Sequence, residues 1–319
     1  MKIGFYNDFK PCIFKGNGVV DISREVRQLQ GGSPQLLLEN IIVNFQLLRP
    51  RLERLEERGK VIPLSEIRLR PPVPRPGKVL CGRGNFMEGF PVEPTRPLAT
   101  FFKSPDAVIG PGDTIVLPSF KPVIFHHEAE LAFVIGKTAT NVPVAQALDY
   151  IFGYTTSVDV SARAPVDGEA ALPGEYGKSF DTFLPIGPAI TTADEIRDPN
   201  NLNVKYWVNG ELRQDYNTSD MEHSVAYVIA ALSANMTLKP GDLILCGTNH
   251  QGLGPLQDGD IGEIEIQDVG SNANPVSDSL KRTWTRGIDP NMSSRVLENR
   301  KALTGAASKG TWPLTPPSP

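Results

Sequence analysis

From Val79 onward the chain is a succession of short apolar, β-branched runs separated by glycine and proline, with almost no helix between them. Val79 to Cys81, Thr114 to Leu117, Val123 to Ile135, Ile151 to Val160, Val204 to Val208, Leu243 to Cys246 and Ile261 to Ile266 all read as strands. In this region only Ser224 to Met236 has the periodicity and length of a helix. A doubly wound sheet alternates strand and helix, so the pattern argues against one and for a β-rich α+β fold.

Ahead of these runs, Met1 to Phe5 and Gly18 to Ile22 read as strands. Pro34 to Glu57 reads as one helix, with Leu36, Leu37, Ile41, Phe45, Leu48, Leu52 and Leu55 at helical spacing. The stretch Pro71-Pro72-Val73-Pro74-Arg75-Pro76-Gly77 is stiff and marks a boundary. The expected organisation is a small N-terminal module over 1–72, a larger domain over 73–287 and a C-terminal extension over 288–319. The end of that extension, from Thr304, is rich in Pro, Ser, Gly and Ala and is expected to fray.

A net charge of −4 argues against a nucleic-acid binder. The alternating charges of Arg51, Glu53, Arg54, Glu56, Glu57 and Arg58 read as a solvated helix face. No run approaches the roughly 18 apolar residues of a membrane span, and Met1 to Asp8 has no apolar signal core. Cys12, Cys81 and Cys246 are far apart with no C-x-x-C spacing, which suggests reduced, buried thiols and a cytoplasmic protein.

The chemistry concentrates in two segments. In the run Val123 to Ile135, strand alternation places His126, Glu128 and Glu130 on one face. Carboxylates two residues apart lie about 7 Å apart at Cα, from where both can reach a cation at about 2.1 Å. The same spacing also suits an ordinary solvated strand face. The second run, Ile151 to Val160, is apolar and carries Asp159 near its end, with Arg163 close by. An acid in such surroundings needs a partner, either that arginine or a shared cation.

These segments resemble the fumarylacetoacetate hydrolase family. The resemblance is carried by His126 to Lys137, Gly153 to Arg163, Phe102 to Pro105, Lys178 to Asp181, Val208 to Gln214, Asn217 to Met221 and Leu238 to Thr248, in family order. It implies a catalytic fold of mixed β-sheets with few helices over 73–287, acting as a homodimer. It implies Glu128, Glu130 and Asp159 as metal ligands for Mg²⁺ or Mn²⁺, with Ca²⁺ as a further candidate. Lys178 matches a lysine beside the metal, and Thr248 the threonine whose loop polarises a substrate oxygen. Arg83, Lys103 and Arg163 are expected to line or support the substrate pocket. The substrate implied is a small 2-oxo or 2,4-dioxo acid, taken through a cation-stabilised enolate to C–C hydrolysis or decarboxylation. The alternatives are an isomerase or hydratase of unsaturated 2-oxo diacids, and a non-catalytic ligand-binding relative.

One departure from the family pattern matters. Hydrolytic members carry a histidine and a glutamate in a lid helix after the first catalytic strand. Here that place reads Cys81-Gly82-Arg83-Gly84-Asn85-Phe86-Met87-Glu88, with no histidine before His126. The expected replacement acid–base group is His250, two residues past Thr248, with His223 in reserve. His126 is expected to support the site from behind the ligands. The loop Ala164 to Gly177 is the lid candidate.

Overall fold

A computed structural model describes residues 1–29, 31–90, 95–119, 122–163, 176–292, 294–296 and 298. A twelve-stranded mixed sheet forms its backbone. Along its main path the order is Ile62–Pro63, Gly18–Asp21, Lys10–Lys15, Lys2–Tyr6, Leu184–Thr192, Ile151–Val158, Ala129–Ile135, Leu243–Leu245, Val79–Arg83 and Ala99–Phe102. Neighbours are antiparallel except Leu243–Leu245 and Val79–Arg83, which run parallel. The central strands Ala129–Ile135 and Ile151–Val158 are buried at every position. That is why their sequences read as continuous apolar runs rather than alternating ones.

The sheet does not stop at the proline-rich stretch. Lys2–Tyr6 pairs with Leu184–Thr192, with Lys2 opposite Thr191 and Ile3 opposite Ile190. One hydrophobic core runs across both parts and includes Phe5, Leu38 and Leu52 together with Phe133, Ile186 and Leu245.

A second sheet of five strands has the order Glu211–Asn217, Asn203–Val208, Ile261–Ile266, Gly270–Asp278 and Ile115–Leu117. In Ile261–Ile266 exposed and buried residues alternate, so one face meets the core and the other meets water. The helix α3, Val225–Asn235, is capped by Ser224, whose side chain accepts the Tyr227 N–H. Among the described residues, no helix is long and apolar enough to cross a membrane.

Two expected elements are divided. The helix over 34–57 is two helices, α1 at Pro34–Val43 and α2 at Phe45–Arg58. They meet at Asn44, whose side-chain amide donates to the Asn40 carbonyl and closes the first helix. The strand over 123–135 is also interrupted. Phe125–His126 pairs with Ser161–Ala162, and the main pairing begins only at Ala129 opposite Val158. The expected lid falls mostly on 164–175, and the fraying C-terminus on 304–319. Both lie outside the described residues.

Candidate metal centre and active site

The interruption makes the site. Between the two paired stretches the strands are joined by one bond, from Asp159 N–H to the Glu128 carbonyl at 2.8 Å. Glu128 and Asp159 therefore sit in the gap of the ladder, and Glu130 lies just inside it, opposite Ser157. Each offers a carboxylate oxygen, and the three oxygens lie within 4.8 Å of one another. All three residues are buried.

Three cations surround these acids. Lys178 Nζ donates to Glu128 Oε2 and Asp159 Oδ2, both at 2.8 Å, and to Ser161 Oγ at 2.6 Å. Lys103 Nζ donates to Asp159 Oδ1 at 2.5 Å, and Arg163 pairs with Glu128. Among the described residues Glu130 has no cation of its own, and its carboxylate accepts the Gly247 N–H at 2.8 Å. Gly247 has φ +89 and lies against the Gly82 carbonyl, where a Cβ would come within 3.2 Å of that oxygen.

The electrostatics divide accordingly. Burial pushes the Glu130 carboxyl well above the usual range, and Asp159 and Glu128 push it further. Burial also acts upward on Glu128, but Lys178 and Arg163 outweigh it and hold that carboxyl below the usual range. Burial works against the charge on Lys178, yet Asp159 and Glu128 raise its affinity for the proton overall. A carboxylate triad short of positive charge at one corner, with only oxygen donors, fits a hard divalent cation.

A cavity of about 160 Å³ opens on this cluster, lined by Arg83, Phe101, Glu128, Arg163, Lys178, Thr248 and His250 together with Gly82 and Gly84. Phe101 carries Lys178 and Arg83 over its ring, at 5.4 and 5.7 Å from the centroid. Its sequence, in an ordinary apolar run, gives no sign of this role. Thr248 directs its hydroxyl proton to the Ala129 carbonyl at 2.8 Å and accepts from Gln214 Nε2 at 2.8 Å. Its hydroxyl is thus engaged within the fold.

Two expected site residues do not line this cavity. Lys103, expected to line or support the pocket, is fully buried behind Asp159 and supports it from there. It is a fixed counter-charge. His223 lines a neighbouring cavity of about 720 Å³, where its ring stacks on Tyr227 one helical turn later at 4.7 Å between centroids. Its backbone is held by Asn85, which also bonds the Cys246 carbonyl.

His126 and His127 are both buried and point to different partners. His126 accepts from Arg163 Nε through Nδ1 at 3.0 Å and donates to Asp289 through Nε2 at 3.1 Å, which makes it neutral. Burial lowers its pKa to about 2, helped by Arg163. His127 stacks on Tyr206 and donates from Nδ1 to Gln214 Oε1 at 3.0 Å. Gln214 in turn ties the Ala129 N–H and Thr248 together. Burial lowers the His127 pKa to about 3, partly opposed by that bond.

Both folded-state values lie below the usual 6.5, so below pH 6.5 the unfolded chain binds more protons than the fold. Stability from these rings is full above that pH. It should fall as pH drops, by up to about 1.4 kcal/mol per pH unit for each ring. Urea midpoints between pH 5 and 7 measure the slope, and His127→Gln should flatten it. An equal slope in that variant would show that His127 is not buried neutral.

Comparison with known proteins places the chain in a family. Residues 85–277 match the sequence profile of the fumarylacetoacetate (FAA) hydrolase C-terminal domain. The mitochondrial oxaloacetate tautomerase of Xenopus laevis is 35% identical, over 82% of this chain and 83% of its own length. The maleylpyruvate hydrolase of Aquipseudomonas alcaligenes is 31% identical, over 85% and 97% respectively. The crystal structure of maleylpyruvate hydrolase from Sphingobium sp. SYK-6, in complex with manganese(II) and pyruvate, is 34% identical. It superposes with a TM-score of 0.77 over 87% of this chain and 99% of that one. The chain belongs to the fumarylacetoacetate hydrolase family. Its relatives include hydrolases, isomerases and tautomerases.

Proposed function

We propose that the chain is a Mg²⁺- or Mn²⁺-dependent enzyme that enolises a small 2-oxo or 2,4-dioxo acid. The observation that carries this is the convergence of Glu128, Glu130 and Asp159 on one buried point beside a cavity sized for a small acid. A divalent cation held by these three would supply Lewis acidity to the carboxylate and keto oxygens of the substrate. Arg83 and Arg163 offer positive charge to the substrate's carboxylate ends. Lys178 brings fixed positive charge to the place where the enolate oxygen gathers negative charge. The Thr248 backbone N–H has no acceptor among the described residues and is available to the same oxygen. Phe101 excludes water from one side of the acid.

The leading outcome is hydrolysis of a 2,4-dioxo acid of the maleylpyruvate type. Water adds at the C4 carbonyl, the C3–C4 bond breaks, and its electron pair leaves with pyruvate as the enolate while the other fragment leaves as a carboxylic acid. Tautomerisation of an oxaloacetate-like acid is the second reading, favoured by the tautomerase relative. The proposal includes action as a cytosolic homodimer, with the catalytic part over 73–287.

The test is exchange of the C3 protons of pyruvate with D₂O, followed by NMR, with cation present and after chelation. Exchange should require the cation. Full exchange after chelation would sink the proposal. Release of pyruvate from a panel of acylpyruvates then separates cleavage from tautomerisation.

A further inference from the structure

The Glu88 carboxylate is buried, and its Oε1 accepts both the backbone N–H of His250 at 3.2 Å and the ring Nδ1–H at 2.7 Å. Its Oε2 has no partner among the described residues. A buried carboxylate is costly to hold unless a neighbour can become its counter-ion. The backbone is built around the contact. Glu88 has φ +56, a conformation that side-chain-bearing residues adopt only when their surroundings impose it. Asp220 accepts the Glu88 N–H at 2.8 Å and the Asn249 side-chain amide at 3.1 Å, so it fastens both halves of the pair. Gln251 Nε2 donates to the Glu88 carbonyl at 2.9 Å.

With Nδ1–H committed to Glu88, Nε2 carries the ring's lone pair, and no described group bonds it. His250 lines the cavity beside the acidic cluster, whereas Glu88 does not. We propose that His250 moves the proton at the carbon next to the substrate ketone, and that Glu88 is its positioning residue. This rests on the enolisation reading above. Nε2 takes the proton, the C–H electron pair becomes the C=C bond, and the carbonyl π pair moves onto oxygen. The imidazolium so formed stands against the Glu88 carboxylate. Return of the proton to carbon, or to oxygen where the enol is the product, restores the neutral ring. No other reactant is consumed. The charged groups facing the ring are Glu88 from its own turn, and Arg83, Glu128, Arg163 and Lys178 around the cavity.

The test uses the Mg²⁺-loaded protein and the pyruvate exchange assay across pH. His250→Asn should slow exchange by roughly a hundred-fold or more with Mg²⁺ affinity unchanged. Glu88→Gln should slow it by roughly ten-fold or more and move the acidic limb of the rate profile to lower pH, because the imidazolium has lost its counter-ion. Glu88→Asp should recover part of the rate. A wild-type rate in His250→Asn overturns the catalytic role, and an unmoved limb in Glu88→Gln overturns the positioning role. If the wild-type protein binds Mg²⁺ yet exchanges nothing, the enolisation reading fails by itself. NMR titration of the His250 ring then decides the pair: a lower pKa in Glu88→Gln sustains it, and an unchanged one overturns it.

Discussion

Replacing Glu130 with glutamine is expected to abolish divalent-cation binding and to raise the melting temperature of the cation-free protein. The two effects share one cause. Glu130 is buried beside Glu128 and Asp159 and has no cationic partner among the described residues, so without a bound ion burial and the two neighbouring acids oppose its charge more than Lys178 and the Gly247 N–H favour it. Glutamine keeps the acceptor for the Gly247 N–H and turns two donors toward the neighbouring acids. The relief should amount to roughly 1–3 kcal/mol. Loss of one of three anionic ligands should weaken Mg²⁺ or Mn²⁺ by well over about a hundred-fold. Asp159→Asn should also remove cation binding but move stability the other way. Lys103, with a side chain 0% exposed, would be left without its carboxylate, at a cost of roughly 3–5 kcal/mol. Titration calorimetry and melting in chelator measure both quantities. Stability shifts of the same sign in the two variants would refute this division of charge.

Lys178→Met should separate catalysis from cation binding. In the fold, Lys178 neutralises Glu128 and Asp159, the same acids that would hold the ion. Removing it leaves the triad more negative, so cation affinity should hold or rise. The positive charge aimed at the forming enolate oxygen disappears, and kcat should fall by about a hundred- to a thousand-fold. A variant that loses cation affinity in step with activity would show that Lys178 only shapes the triad.

Much of the site was legible because its residues are chemically conspicuous and lie in long motifs. Glu128 and Glu130 share a strand, and Asp159 is an acid in apolar surroundings. The family, too, could be read from these runs. Less could be read wherever a role depends on a partner distant in sequence. Nothing near Lys103 says that it is buried against Asp159, 56 residues on. Glu88 is unremarkable until His250, 162 residues away, is placed against it. Periodicity alone joined α1 to α2, because the break at Asn44 is made by one side-chain bond and not by a change in apolar spacing. It likewise ran one strand through His127 and Glu128, where the ladder parts and the acids gain their freedom to converge.

The pairing of Lys2–Tyr6 with Leu184–Thr192 also sets the order in which the protein can be assembled. The first strand can pair early with Lys10–Lys15 and, through Phe5 and Tyr6, with Leu69–Arg70, but the Lys2–Ile3 part of its edge waits for residues near 191. At roughly 5–20 residues per second of synthesis, that edge stands open for on the order of ten seconds or more. Such non-local pairing is intrinsically slow, and an open edge invites other strands. Nascent chains should therefore be most prone to aggregate, and most dependent on chaperones, before the Leu184–Thr192 strand emerges.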